Sequence, residues 1–370
     1  MSRRRPAGPT VEIFALEPTA TQLIVRSRQD EHTVTADGRE VTVRMRGHVG
    51  AAVLDGLAPA TGYDLILDGR AAGRLRTLPE PPGRYLGRFA TVSDLHLGET
   101  GFGRAPRLRL SADPATAHPV LCLGAALSEL RAWGAEGLIV KGDVSHDSRA
   151  HQYELAATLL ANLPHPLWVI PGNHDGGNHR HDDGGEILAR HGIALHQTTT
   201  PLEVGGLDVV LANTVRPGHE HGYAPPLDDA LFDLLRRRRP TMVVLHHQLM
   251  TAHIPYYLPP GVPGPASRAL LARMGGANPA TLVTTGHTHR HRRRRHGPVV
   301  VTEVGSVKDH PGTWAGYLVY EGGIVQTVRR IMDPAALAWT ERTRTSALGA
   351  WGRWSPGRLP DRSFTHVWPA

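Results

Sequence analysis

Five short stretches gather oxygen and imidazole donors: SDLHLG with Asp94 and His96, KGDVS with Asp143, PGNHD with Asn173 and His174, LHHQ with His246 and His247, and TGHTH with His287 and His289. Asp94 and His96 stand two residues apart, a spacing that puts both side chains on one side of an extended chain. Carboxylates and imidazoles without thiolates suit manganese, iron or zinc and argue against copper(I) and iron–sulfur clusters. The donors outnumber the positions of one tetrahedral ion, so the set fits two neighbouring metal ions that share a carboxylate. Any one of these histidines, taken alone, reads as a hydrogen-bonded turn residue. In series, each closing an apolar run, they read as one site assembled from distant parts of the chain.

The runs that must position these residues are RFATVSD, GLIVKGD, PLWVIPGN, TMVVLHH and TLVTTGH, accompanied by LDVVLANT and PVVVTEVGS. They are rich in Val, Leu and Ile and alternate with helix-spaced stretches such as PVLCLGAALSELRAWG and HQYELAATLLANL. That alternation predicts an α/β domain with mainly buried strands, and in open α/β sheets ligands gather at the carboxyl ends of strands. Before it, residues 10–78 read as short alternating strands (VEIFAL, TQLIVRS, VTVRMRG, GAAVLDGL, YDLILDG, GRLRTL), which predicts a small all-β sandwich. The expected organisation is a disordered basic tail at 1–9, the sandwich at 10–78, a Pro-rich linker at 79–84, the α/β domain at 85–333, and a helix with an irregular tail at 334–370.

Composition narrows the classes. The chain has 370 residues, 40% of them hydrophobic and 20% charged, as a folded polypeptide of two domains would. No apolar run approaches the roughly 20 residues of a membrane-spanning helix, and the cationic start MSRRRPAGPT lacks the apolar stretch of an export signal. The single cysteine, Cys122, lies in an apolar helix-like stretch and reads as a buried structural thiol, consistent with a cytoplasmic setting. A formal charge of +7 is concentrated in runs at Arg3–Arg5, Arg236–Arg239 and Arg292–Arg295. Such runs suit a phosphate backbone, but only 5% of residues are aromatic, few for base stacking, so solvated faces are the favoured reading and nucleic acid the less favoured partner.

The order D-x-H, G-D, G-N-H-D, H, G-H-x-H across roughly residues 88–305 resembles the calcineurin-like metallophosphoesterase superfamily. The resemblance implies a β-sandwich flanked by helices with a two-metal centre at the strand ends. It further implies that Asp94, His96 and His289 hold one ion, that Asn173, His246 and His287 hold the other, and that Asp143 bridges them. His246 is preferred over His247 because the family ligand directly follows its strand; His247 falls to the outer shell. His174 matches the residue that faces the scissile phosphate as acid or charge stabiliser. Asp175 and Asp147 are both candidates to orient it, because His146 occupies the place, three residues after the bridging aspartate, where many members carry an aspartate. In such centres the ions lower the pKa of water from about 16 towards 7, and hydroxide attacks phosphorus in line.

The D-x-H and G-N-H-D motifs are similar to the phosphodiesterase branch, including class III cyclic nucleotide phosphodiesterases, which implies a small phosphodiester as substrate. LDGLAPATGYDL, with Tyr63 at its corner, resembles the end of one strand and start of the next in a fibronectin type III domain. Purple acid phosphatases carry such a domain, but GDVSHDS lacks the tyrosine they need after the bridging aspartate. A phosphomonoesterase, a nuclease like the double-strand-break repair enzymes and a non-catalytic metal-stabilised module are the competing readings. His219, His221 and Lys308, together with the loop 251–257, are the candidate substrate contacts.

Overall fold

The structure is a computed structural model; it describes residues 8–103, 107–161, 163, 166–176, 182–224, 229–251 and 259–369. The expected tail at 1–9 therefore lies outside the described residues except for Gly8 and Pro9, and so does the loop 251–257 apart from Thr251.

Seven strands open the chain: β1 (Thr10–Leu16), β2 (Thr21–Arg26), β3 (Glu31–Ala36), β4 (Arg39–Arg44), β5 (Val49–Leu54), β6 (Gly62–Leu67) and β7 (Arg70–Arg76). They form two antiparallel sheets, ordered β1-β2-β5 and β4-β3-β6-β7. Their inward faces, among them Leu23, Val25, Val34, Val43, Leu54 and Leu65, make one core. The period-two burial of β6 follows its sequence GYDLIL, in which Tyr63, Leu65 and Leu67 point inward. At its corner the Tyr63 hydroxyl accepts from the Ala58 N–H at 2.7 Å.

The second unit begins with β8 (Tyr85–Val92) and continues through β9 (Leu138–Lys141), β10 (Leu167–Ile170), β11 (Thr200–Val204), β12 (Leu207–Leu211), β13 (Thr241–Val244), β14 (Thr281–Thr285), β15 (Arg292–His296), β16 (Val299–Glu303), β17 (Thr313–Tyr320), β18 (Gly323–Arg330) and β19 (Phe364–Val367). They form two mixed six-stranded sheets, ordered β10-β9-β8-β17-β18-β19 and β11-β12-β13-β14-β16-β15. The helices include α1 (His118–Ala132), α2 (Ala150–Leu160), α3 (Asn173–Gly176), α4 (Gly184–Arg190), α5 (Asp229–Leu235), α6 (Gly264–Ala277), α7 (Pro334–Thr343), α8 (Ala350–Trp354) and α9 (Leu359–Arg362).

Alternate residues of the central strands serve two different cores, which explains why those strands are apolar throughout. Met242 and Val244 of β13 meet Phe89, Ile139 and Ile170 between the sheets. Val243 faces α5 and α6 through Phe232 and Leu271. On the other outer face, Val92 and Val140 pack on Leu123 and Leu130 of α1 and Ala156 of α2. The expected α/β architecture, a β-sandwich flanked by helices and preceded by a small all-β unit, is what the chain adopts.

Two segments fold differently from their sequence patterns. The stretch read as an irregular tail after α7 carries α8, α9 and β19, and β19 completes a sheet by pairing antiparallel with β18. The run at Arg292–Arg295, read as a solvated face, is an edge strand, β15, antiparallel to β16, with Arg294 ion-paired to the buried Glu303. Charged edge strands resist pairing with other chains.

Candidate metal centre

β8, β9 and β10 are mutually parallel, as are β12, β13, β14 and β16. Their carboxyl ends deliver Asp94 and His96, Asp143, Asn173 and His174, His246 and His247, and His287 and His289 to the loops beyond. Five of these residues, Asp94, His96, Asp143, His287 and His289, have φ between 47° and 69°. Non-glycine residues rarely take the left-handed region, and such strain persists where surrounding structure over-determines it, commonly at functional sites. Here it turns short strand ends sharply enough to aim successive side chains at one point. Glycine makes room for them: a Cβ on Gly172 would overlap the Asp143 carboxylate, and one on Gly286 would come within 2.9 Å of Asp94 Oδ2.

Among the described residues the donors converge in four overlapping groups, one of them His246, His247 and His287 and another His96, His146 and His174. One atom each of Asp94, His96 and His289 lies within 4.8 Å of the others, and the same holds for Asp94, Asp143 and His246. Asp143 spans the groups, with Oδ2 3.4 Å from His96 Nε2 and Oδ1 3.4 Å from His246 Nε2. Asn173 Oδ1 is 3.1 Å from His246 Nε2.

Hydrogen-bond accounting tests whether metal ions fit. His246 Nδ1 donates to the Lys141 carbonyl at 2.7 Å, so its proton sits there. Its Nε2 then faces two acceptors, Asn173 Oδ1 and Asp143 Oδ1, and needs a proton or a cation there. His289 repeats the pattern: Nδ1 donates to Asp309 Oδ2 at 2.6 Å, and Nε2 faces His96 Nε2 at 3.2 Å and Asp94 Oδ1 at 3.6 Å. Acceptor-rich groups packed this closely in a buried site need protons or cations between them, and the donor set fits a binuclear centre. Burial opposes charge on His246, yet the Asp143 carboxylate beside it raises the imidazole to about 9, so without metal a second proton occupies Nε2 in the place a cation would take.

The remaining residues expected at the site are distributed as follows. Both nitrogens of His247 have protein partners, Thr214 Oγ1 at 2.8 Å and the Glu220 carbonyl at 3.2 Å. His287 Nε2 lies 3.2 Å from the Pro260 carbonyl, and its backbone N–H donates to Asp94. His174 donates its backbone N–H to Asp143 Oδ1 at 2.9 Å, and its Nδ1 bonds the His146 carbonyl.

That carbonyl corrects the expectation that Asp175 or Asp147 orients His174. Asp175 is buried and accepts instead from the backbone N–H groups of Gly172, Val144 and Ser145, tying two ligand-bearing loops together. Asp147 is bonded by the Gln152 side chain. Lys308 is likewise corrected: it is buried, its ammonium 2.6 Å from Glu99 and 3.5 Å from Asp309, and it does not line the cavity. His219 and His221 pack on each other with ring centroids 4.8 Å apart, and only their neighbour Glu220 reaches the cavity wall.

Sequence reasoning passed over Lys141, Asp309 and Phe102, and read Trp351, with Trp339 and Trp354, as packing on the main body or covering the site. Lys141 is fully buried behind the centre, donating to the Thr285 carbonyl at 2.7 Å and Thr284 Oγ1 at 3.2 Å, and burial lowers its ammonium to about 7. A lysine inside the apolar run LIVK was the available signal. Asp309 supports His289, and Phe102 and Trp351 wall the cavity. Nothing in the local sequence of Asp309 or Phe102 sets them apart.

A family model described as calcineurin-like phosphoesterase matches residues 87–291. The chain belongs to the calcineurin-like phosphoesterase family. Among curated proteins it is similar to the 3',5'-cyclic adenosine monophosphate phosphodiesterase CpdA of Pseudomonas aeruginosa, at 29% identity over 170 residues, 44% of this chain. That match spans 57% of the relative's own length. Among solved structures it is similar to a purple acid phosphatase from yellow lupin (Lupinus luteus) seeds, with TM-score 0.48 and 13% identity over 89% of this chain and 73% of that one. It is also similar to TT1561 of Thermus thermophilus, with TM-score 0.44 and 14% identity over 66% of this chain and 99% of that one. No helix among the described residues is long and apolar enough to cross a membrane.

Proposed function

We propose that this family member hydrolyses small phosphodiesters, 3',5'-cyclic nucleotides among the candidates, at a centre of two divalent or trivalent ions (Mn, Fe or Zn). Asp94, His96 and His289 would hold one ion, Asn173, His246 and His287 the other, and Asp143 both. The observation that carries the reading is the convergence of carboxylate, amide and imidazole donor atoms around Asp143 and Asp94 from five strand ends. When bound, such a pair supplies Lewis acidity and a nucleophile derived from water at neutral pH.

The chain's own residues do the rest. The Lys141 main-chain carbonyl and the Asp309 carboxylate hold the Nδ1 protons of His246 and His289, which turns Nε2 towards the centre. For His287 the Pro260 carbonyl at Nε2 leaves Nδ1 as the ligand nitrogen. His174 keeps a proton at Nδ1 on the His146 carbonyl, so it would give or take a proton at Nε2, where a leaving oxygen would lie.

The diester reading draws support from the similarity to the cyclic nucleotide phosphodiesterase. We read residues 10–78 as fibronectin type III-like, supported by seven strands in two antiparallel sheets and the Tyr63 corner. The test is metal analysis followed by steady-state kinetics on matched monoesters and diesters, cyclic adenosine monophosphate included. Two equivalents of metal and a higher kcat/KM for diesters are expected; faster turnover of monoesters would overturn the diesterase reading.

A further inference from the structure

The metal-ligand cluster opens into a cavity of about 600 Å³ whose far wall is not polar. Phe102 from the loop after β8 and Trp351 from α8 form it, with ring centroids 5.8 Å apart, flanked by Ala347 and Pro259. The wall is fixed to the centre. Trp351 Nε1 donates to Asp309 Oδ1 at 3.1 Å, while the other oxygen of the same carboxylate accepts from His289. The Trp351 and His289 rings lie 6.2 Å apart, so a group on phosphorus would reach the indole directly. Ala347, which lines the cavity, takes a left-handed φ of 50°.

We propose that the Phe102–Trp351 wall selects phosphoesters whose retained group, the one that does not leave, carries a flat aromatic ring. This rests on the phosphoesterase reading above and adds the substrate class to it. A ring laid against two aromatic side chains removes apolar surface from water and gains offset or edge-to-face contact, neither of which a methyl or glycerol group can match. A nucleobase and a simple aryl group share this chemistry.

The experiment holds the leaving group constant. The metal-loaded full chain is assayed on methyl, phenyl and thymidine-5' esters of 4-nitrophenyl phosphate, and the readout is the ratio of kcat/KM to that of the methyl ester. The expected ratio is about tenfold, equivalent to about 1.4 kcal/mol, falling to about twofold in Phe102→Ala and in the volume-keeping Phe102→Leu. Trp351→Phe, which keeps a ring but loses the bond to Asp309, should hold most of the ratio while lowering kcat. Preference for the thymidine ester over the phenyl ester assigns the wall to a nucleobase and the reverse to a simple aryl group; either upholds ring selection. Ratios near one in the parent, or unchanged in both Phe102 variants, overturn it. Binding of phenylphosphonate against methylphosphonate by calorimetry separates the two proposals. A tenfold preference that Phe102→Leu abolishes, found without turnover of any ester, sustains the wall and sinks the hydrolase reading; equal binding sinks the wall.

Discussion

Asp175 should stabilise the protein more than its position beside His174 suggests. Its Oδ2 accepts from Gly172 N at 2.9 Å and Val144 N at 3.0 Å, and its Oδ1 from Ser145 N at 2.9 Å and Ser145 Oγ at 3.0 Å. Asp175→Ala strands three main-chain donors in a buried loop junction, each at about 1–3 kcal/mol. The sum is about 3–9 kcal/mol before relaxation; with water entering the vacated space, about 4 kcal/mol is expected, against a typical total of about 5–15 kcal/mol. Asp175→Asn keeps one acceptor oxygen and should lose about half as much. Urea unfolding followed by circular dichroism, run with chelator so that metal binding does not add to stability, measures both. A loss below about 1 kcal/mol in Asp175→Ala would refute this accounting. So would a variant of parental stability that had lost only turnover, because Asp175 would then act through His174.

Three further outcomes are expected. Asp143→Ala, which removes the carboxylate shared by both donor groups, should abolish binding of both ions together, read by elemental analysis. His174→Ala should keep both ions and lose at least about a hundredfold in kcat, the usual span of acid–base assistance, on an ester with a poor leaving group; parental turnover there would exclude the role. Glu341, flanked by the buried Arg330 at 2.9 Å and by Arg26 at 2.9 Å, is held well below the usual carboxylate range by those guanidiniums although burial opposes it. With its folded pKa depressed, its contribution is present above pH ~4.5 and drains away as pH falls below that, so Glu341→Gln should lower Tm at pH 7 and flatten its decline between about pH 5 and 3.

The motif residues were legible because parallel strands finish at one end of a sheet, so five separate apolar runs ending in Asp, Asn or His specify a shared neighbourhood. The supports were not. Asp309 lies 20 residues after His289 and Trp351 another 42 on, and only the return of the chain through β17, β18 and α7 brings them together. Asp175 was visible as a carboxylate, but its role depends on three backbone amides whose direction is set by left-handed turns. β15 was hidden because arginine is no strand former by habit; pairing with β16 and the ion pair to Glu303 override local preference.

The N-terminal sandwich braces the wall of the cavity through one helix. Gln22 exchanges two 2.7 Å hydrogen bonds with the backbone of Arg330, and Arg26 binds Glu341 on α7. Arg330, itself fully buried, reaches Glu341 and, at 2.7 Å, the Pro311 carbonyl. Apolar contact adds to this, with Leu337 of α7 packed among Phe14, Ile24 and Val49 of the sandwich. On its other side α7 receives the His310 N–H on Thr343, one residue from the Asp309 that holds His289. The chain leaving α7 then runs directly into Ser346, Ala347 and Trp351 at the cavity. Buried charges joined this way tolerate little displacement, because moving one partner leaves the other desolvated and unmatched. The sandwich is thus joined by buried contacts to α7, the helix that bonds the residue next to Asp309 and precedes Trp351 in the chain.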